Sequence, residues 1–404
     1  MILIERVKVY SKKSELYTDL DMLCFQSKNV FNSALYVIKQ AFLKKEKIPS
    51  YNDLDKLWRQ TNNIDYRSLP YNQCSQQTMR CCYSLLKGFF SQIKSNKVNH
   101  KVNLPHYYDS AKGRYKCIYT SQCFKQEGEH VRLKLNKEGK YLYIRVGNGC
   151  VQQVTILPVA NGYAIDVAFK VNDVQLKENN ERYAGGDLGV NNLLTLTSNI
   201  AQSTVIDGKR IKSINHHYNK KIAYLKSCLK KNKYTSRRIK QITNKRNNKV
   251  KDYMHKASNI VVKYCVSNDI SYIIIGKNDK WKNECNLGKQ VNQNFIMIPH
   301  SKLVNMIKYK CRLAGVNAII VNEAYTSKCS FLDNETICKH DTYHGCRVKR
   351  GLFQSGNGKL INADVNGSYN IMRLGLEKIK CNCDALSLMP ADKRFVYNPV
   401  RLKI

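Results

Sequence analysis

The chain has 404 residues, 43% of them hydrophobic, with only 7 prolines, which excludes a disordered or low-complexity protein and leaves room for two or three domains with their own cores. Lys and Arg number 68 against 30 Asp and Glu, and a formal charge of +38 predicts a polyanionic partner, a phosphate backbone ahead of a membrane surface. No stretch approaches the ~18 consecutive apolar residues of a membrane span. The opening MILIERVKVYSKK is charged from its fifth residue, unlike a signal peptide, so a soluble intracellular protein without membrane contact is expected, its 16 scattered cysteines reduced.

Residues 1–10 alternate as a strand, and 15–48 read as a helix on apolar positions that include Leu20, Leu23, Val30, Phe31, Leu35 and Ile38. Further helices are expected over 51–60 and 72–95, with TNNIDYRSLPYN between them as loop. This region reads equally as a plain helical bundle or as a cradle for a nucleic-acid duplex. From about 100 to 175, short β runs broken by Gly, Asn and Lys predict a small antiparallel barrel or sandwich. The opening strand would pair into it, making the helical part an insertion, and 176–182 form a polar link.

Tyr183 to Thr197, YAGGDLGVNNLLTLT, predicts a β-hairpin with Asp187 at its centre. A lone acid there costs free energy unless it is solvated, paired or bound to a cation; the bland reading is a turn at a strand end. A third strand, AQSTVI, follows. Between Lys209 and Lys256 there are seventeen Lys or Arg and a single acid, Asp252, on two helices joined near Asn232 to Ser236. Such like-charge crowding is unfavourable unless an anion relieves it. Lys209, Arg210, Lys220, Lys221, Lys230, Lys231, Arg237, Arg238, Lys245 and Arg246 are therefore candidate nucleic-acid contacts, with Arg350 further along. ISYIIIG (270–276) reads as a buried strand, followed by a lysine-rich loop with Trp281, a helix from Pro299 and a second buried strand over 317–325. The stretch 326–362 is loop-rich, NADVNGSYNIMRLGL (362–376) opens a helix with Asp364 in its first turn, and the tail from 380 is basic and irregular.

An antiparallel three-strand meander, a crossover helix and then parallel strands make a mixed α/β sheet with ribonuclease H logic. Acids on its first strand, near the end of a later strand and in its last helix would converge at one sheet edge and could hold two divalent ions ~4 Å apart for phosphodiester hydrolysis. Asp187 and Asp364 fit the first and last of these places.

AGGDLGVNNLLTL, the basic helical hairpin, IIIGKNDKWK, AYTSKCSFLD and NADVNGSYNI together resemble the TnpB proteins, transposon-encoded RNA-guided DNA nucleases related to type V CRISPR effectors and to Fanzor proteins. The resemblance covers roughly 183–376. It implies a multidomain α+β protein with a RuvC/ribonuclease H-like nuclease domain over 177–325, containing a basic hairpin at 209–268. A barrel-like wedge module (1–14 and 100–176) with an inserted helical recognition domain (15–99) would precede it. A degenerate zinc-ribbon-like loop that meets target nucleic acid (326–361), a last RuvC helix (362–380) and a basic tail (381–404) would follow.

Two departures from the family pattern stand out. The usual second acid ends the strand equivalent to YIIIG, where this chain has Gly276; a subset of TnpB and Fanzor proteins resembles it in carrying a relocated glutamate in the next strand, here Glu323. If the two strands are parallel neighbours ~4.8 Å apart, a glutamate can span the gap. The bland reading of Glu323 is a solvent-facing strand end, and Asp279 and Glu284 are the fallback acids. The CxxC pairs of a zinc ribbon are also missing. Cys329, Cys338, Cys346, His340 and His344 are all that remain, so zinc is not expected, an irregular site on the three cysteines being the alternative. Cys381 and Cys383 are read as incidental. Lys302 and Tyr309 would face nucleic acid or a neighbouring element. Asn366 and Asn370 would orient metal ligands, cap the helix or lie exposed.

The resemblance implies an RNA-guided DNA endonuclease in which Asp187, Glu323 and Asp364 hold two Mg²⁺, with Mn²⁺ as a substitute, and cleavage leaves 5′-phosphate and 3′-hydroxyl ends. Its partners would be a guide RNA and double-stranded target DNA bearing a short flanking motif, and the protein would be a monomer or weak dimer. It would work in the cytoplasm at the nucleoid of a prokaryote, or in the nucleus if Fanzor-like. The alternative is an RNA-guided DNA-binding protein that no longer cuts, which Gly276 keeps open. A transposase acting on its own element lacks support, since no His-hydrophobic-His motif with a Tyr nucleophile is present.

Overall fold

The computed structural model describes residues 1–94, 102–147, 149–230, 232–278, 293, 295–379, 381 and 387–404. Contacts divide the chain into two compact units, Met1–Asn172 and Asp173–Ile404.

In the first unit, β1 (Ile2–Ser11) leads into α1 (Tyr17–Leu43), α2 (Tyr51–Gln60), α3 (Ile64–Ser68) and α4 (Asn72–Lys94). Then come β2 (Cys117–Thr120), β3 (Phe124–Glu127), β4 (His130–Lys134), β5 (Tyr141–Arg145), β6 (Cys150–Val159) and β7 (Gly162–Lys170). The strands form two antiparallel sheets, ordered β1-β7-β6-β2 and β3-β4-β5, so the four helices fall in sequence between the first two strands of one sheet. α1 forms where Leu20, Leu23, Val30, Phe31, Leu35 and Ile38 recur on one face, and these bury into one core with Val154, Ile156 and Ile165 of the strands. α3 lies inside the stretch expected to be loop. Five residues are too few for a period to register, yet Asn63 caps it by accepting from the Tyr66 amide, and buried Tyr66 donates its hydroxyl to Asp55.

The second unit begins with the antiparallel meander β8 (Tyr183–Leu188), β9 (Asn192–Ser198) and β10 (Thr204–Asp207). The basic helices α5 (Lys209–Ser227) and α6 (Arg237–Ser267), β11 (Tyr272–Gly276), α7 (His300–Leu313) and β12 (Asn317–Val321) follow. The short strands β13 (Cys346–Lys349), β14 (Leu352–Gln354) and β15 (Leu360–Asn362) come next, then α8 (Ala363–Lys378), α9 (Arg394–Tyr397) and β16 (Val400–Leu402). The main sheet runs β12-β11-β8-β9-β10-β16, with β11 parallel to both β8 and β12. Alternate residues of β11 face opposite layers: Ile273 and Ile275 pack with Val261 of α6 and Ile307 of α7, whereas Ile274 packs with Ile371 and Met372 of α8. The sheet is thus covered on both faces, which is why YIIIG is a continuous apolar run.

Three expectations for this unit change. β12 ends at Val321 and is partly exposed because it is an edge strand, so Glu323 lies two residues past the strand rather than in it. The stretch expected to be loop-rich contains the antiparallel sheet β13-β14-β15, whose strands of three or four residues are too short to show alternation. The tail is not all irregular: β16 pairs parallel with β10, and Leu388 and Val396 are buried.

Candidate active site and basic helical surface

Asp187 stands near the end of β8, opposite Thr195 of β9. On its other side Ile275 of β11 pairs with Gly186, which brings Gly276 level with Asp187, and Gly276 in turn pairs with Val321. Across this edge lies the first turn of α8, whose start is fixed by Asn362: its side chain accepts from the Asp364 and Val365 amides. The helix presses closely on the sheet. A Cβ on Gly185 would stand 2.2 Å from the Ser368 carbonyl oxygen, and one on Gly367 would stand 3.0 Å from Asp187 Oδ2. Asp364, one turn before Gly367, therefore sits on the same helix face beside Asp187.

Glu323 reaches the same edge from one strand further out. Its Oε2 is 2.5 Å from the point where a Cβ on Gly276 would be, so its carboxylate fills the space that a side chain at 276 would need. That oxygen is buried and has no hydrogen-bond partner among the described residues. Burial raises the Glu323 carboxyl to about 7. Asp187 keeps a partly accessible surface, but the protein packed round it strips its hydration and pushes its carboxyl well above the usual range; the nearby charges of Asp364 and Glu323 push it the same way, and Arg347 on β13 opposes them. Asp364 accepts from Asn192 Nδ2, and Asn192 Oδ1 accepts from Arg401, itself paired with Asp207 at 3.0 Å.

Asp187, which meets the charges of both other carboxylates, and Glu323, with its orphaned buried oxygen, form with Asp364 a hard oxygen donor set of the kind that suits a divalent cation. Among the described residues no three His, Cys, Asp or Glu side chains close on a single point to hold an ion. Magnesium needs no such cage, because it is ordinarily held by one or two carboxylates plus water and substrate phosphates, so the residues fit it.

Asn366 and Asn370 are neither exposed nor capping, and they do not touch the carboxylates. Both are fully buried. Asn366 accepts from the Phe331 amide and donates to the Cys329 carbonyl, while Asn370 donates to the Thr326 and Cys329 carbonyls. They pin the chain just after Glu323 onto α8, and Thr326 closes the same turn by donating to the Glu323 carbonyl at 2.9 Å. Asn192, Arg401 and Arg347 escaped the sequence reading. Only the Asn191-Asn192 pair beside the Asp187 hairpin hinted at a polar partner; nothing marked the other two.

Cys329 is buried and donates to the Cys338 carbonyl, Cys338 and His340 contact each other, Cys346 lies exposed on β13, and the His344 amide donates to Glu335. Cys381 contacts the Tyr183 hydroxyl. Asp279, Trp281, Glu284, Cys383 and Lys231 lie outside the described residues. Lys209, Arg210, Lys220, Lys221, Lys230, Arg237, Arg238 and Lys245 are exposed on the two basic helices and their connection; Arg246 is half-buried, Lys302 exposed and Tyr309 half-buried on α7, and Arg350 exposed between β13 and β14.

Residues 166–282 match the family model of the probable transposase OrfB_IS605, and residues 300–371 match that of the Cas12f1-like TNB domain. No curated protein matches the sequence. Among solved structures the chain is similar to a Cas12f1 in complex with single-guide RNA and target DNA, at 13% identity and a TM-score of 0.60, covering 89% of this chain and 83% of that one. It is also similar to the mini-RNA-guided endonuclease CRISPR-Cas_phi3 (10% identity, TM-score 0.49, 93% and 92% covered). A third is C2c1 of Alicyclobacillus acidoterrestris with single-guide RNA (8% identity, TM-score 0.46, 89% and 69% covered). The first of these carries the fold. The two family matches contain the elements that supply Asp187, Glu323 and Asp364, and over those residues the chain is similar to the TnpB-type transposases and to the Cas12f1-like domain.

Proposed function

We propose that this protein is an RNA-guided DNA endonuclease whose catalytic acids are Asp187, Glu323 and Asp364. The observation that supports it most directly is the Glu323 carboxylate lying over Gly276, beside Asp187, where the family pattern otherwise puts an acid on β11. These three residues would hold magnesium, two ions with manganese as a substitute, which when bound supplies Lewis acidity and an acidified water. Asn192 fixes the rotamer of Asp364 through a hydrogen bond, the Asn370 amide fixes the turn that carries Glu323 through Thr326, and Asn366 ties the segment just beyond it. The sheets of the first unit would serve as a wedge module that shares in binding guide RNA and reads a flanking motif, and its helices as an inserted recognition domain. The basic faces of α5 and α6 would bind guide RNA, and base pairing would select the target. Zinc is not required in this reading, which is of a monomer or weak dimer, working at the nucleoid of a prokaryote or in the nucleus of a eukaryotic host.

The test is plasmid cleavage over a randomised flanking-motif library by protein purified with RNA co-expressed from its own locus, with Mg²⁺ or EDTA. Wild type is expected to cut with Mg²⁺ alone, and Glu323→Ala to bind the same target without cutting. Equal binding with no cutting by either protein would make it a programmable DNA binder instead.

A further inference from the structure

The two basic helices do more than present charge. Between α5 and α6 lies a cavity of ≈ 240 Å³, walled by Tyr218, Ile214 and Ile242 and rimmed by Lys221, Arg238 and Lys245. Its size falls just below the ~300 Å³ at which pockets for whole drug-sized ligands begin, which suits one planar ring. Tyr218 is held as a platform: its hydroxyl bonds Thr243 at 3.0 Å, and the Arg246 guanidinium lies over the ring, 5.5 Å from its centre. Arg246 is immobilised in turn by donating to Asn215 and to the Met297 carbonyl. Nearby, Tyr224 and Tyr234 are 70% and 85% exposed in the same basic region, a density of wet aromatic surface that a protein reading only duplex phosphates does not need.

We propose that this cavity takes one unstacked base of a single-stranded RNA segment, stacked against Tyr218, with the flanking phosphates on Lys221, Arg238 and Lys245. The inference rests on the reading that α5 and α6 bind guide RNA and adds that they bind an unpaired nucleotide of it. Phosphate contacts alone would hold single and double strands of equal charge by the same means; an aromatic platform recessed between two helices holds only a base that has left its stack.

The full-length protein is titrated at several salt concentrations with fluorescein-labelled oligo(rA), with an RNA duplex of equal phosphate count, and with free AMP as competitor. Tyr218→Ala is expected to weaken oligo(rA) binding about tenfold with an unchanged salt slope and to leave duplex binding alone, while Tyr218→Phe, which keeps the ring, stays near wild type. Lys245→Gln should instead reduce the salt slope by about one for both RNAs. Equal weakening of single strand and duplex by Tyr218→Ala, or no weakening, overturns the proposal, as does displacement of oligo(rA) by micromolar AMP, which would mark a free-nucleotide site. If neither RNA binds at all, the guide-binding reading fails with it; if RNA-directed cleavage proceeds while Tyr218→Ala binds normally, the base pocket alone falls.

Discussion

At the scale of single residues, Gly276 and Glu323 explain each other. A side chain at 276 and a carboxylate from Glu323 compete for one volume, and Ile371 closes on the same point at 2.5 Å, so no side chain fits at 276 while Glu323 and Ile371 keep their places. Gly276→Ala is expected to cost ~1–3 kcal/mol through overpacking, visible as a lower chemical-denaturation midpoint. Asn192→Ala leaves Asp364 without its donor, and cleavage should fall about 10- to 100-fold with RNA affinity unchanged in a binding titration. Glu323 also predicts a pH dependence. Folding raises its proton affinity, so the protonated form contributes stability that is complete below the unfolded value of 4.5 and is lost as pH rises through about 7. In EDTA, wild type should therefore lose a few degrees of melting temperature relative to Glu323→Gln between about pH 5 and pH 8.

At the scale of elements, α8 is both a wall of the candidate site and the post to which the segment after Glu323 is tied. Asn370→Ala would strip the buried Thr326 carbonyl of its donor, at ~1–3 kcal/mol, and leave the Cys329 carbonyl to Asn366 alone, and should lower cleavage more than it lowers RNA binding. This tie was invisible in the sequence. NADVNGSYNI shows amides at helical spacing, but only tertiary packing reveals that they face a loop rather than solvent or ligands. What could be read was what periodicity governs: the meander around Asp187, the apolar run of β11 and the long stripes of α1 and α6. Elements of three to five residues, such as α3, β13 to β16 and α9, were missed because no period fits in so short a span. Glu323 was legible as a candidate only through the resemblance to TnpB and Fanzor proteins that carry a relocated glutamate; the parallel register of β11 and β12 is what lets it reach across one strand.

At the scale of the molecule, the charge of +38 is concentrated where seventeen cations face one acid, on two helices that reach from the nuclease-like sheet. Association with RNA should accordingly weaken steeply with salt, and substitutions that remove a Lys or Arg charge from α5 or α6 should shift that slope. The central claim is narrower: Glu323 stands in for the acid that β11 lacks. The same plasmid assay, run on Glu323→Ala and on the double variant Gly276→Asp with Glu323→Ala, tests it most directly. The account predicts that the single variant binds target without cutting and that the double variant, with the glutamate removed and the strand-end acid restored, regains cleavage. A Glu323→Ala protein that cuts like wild type would contradict it.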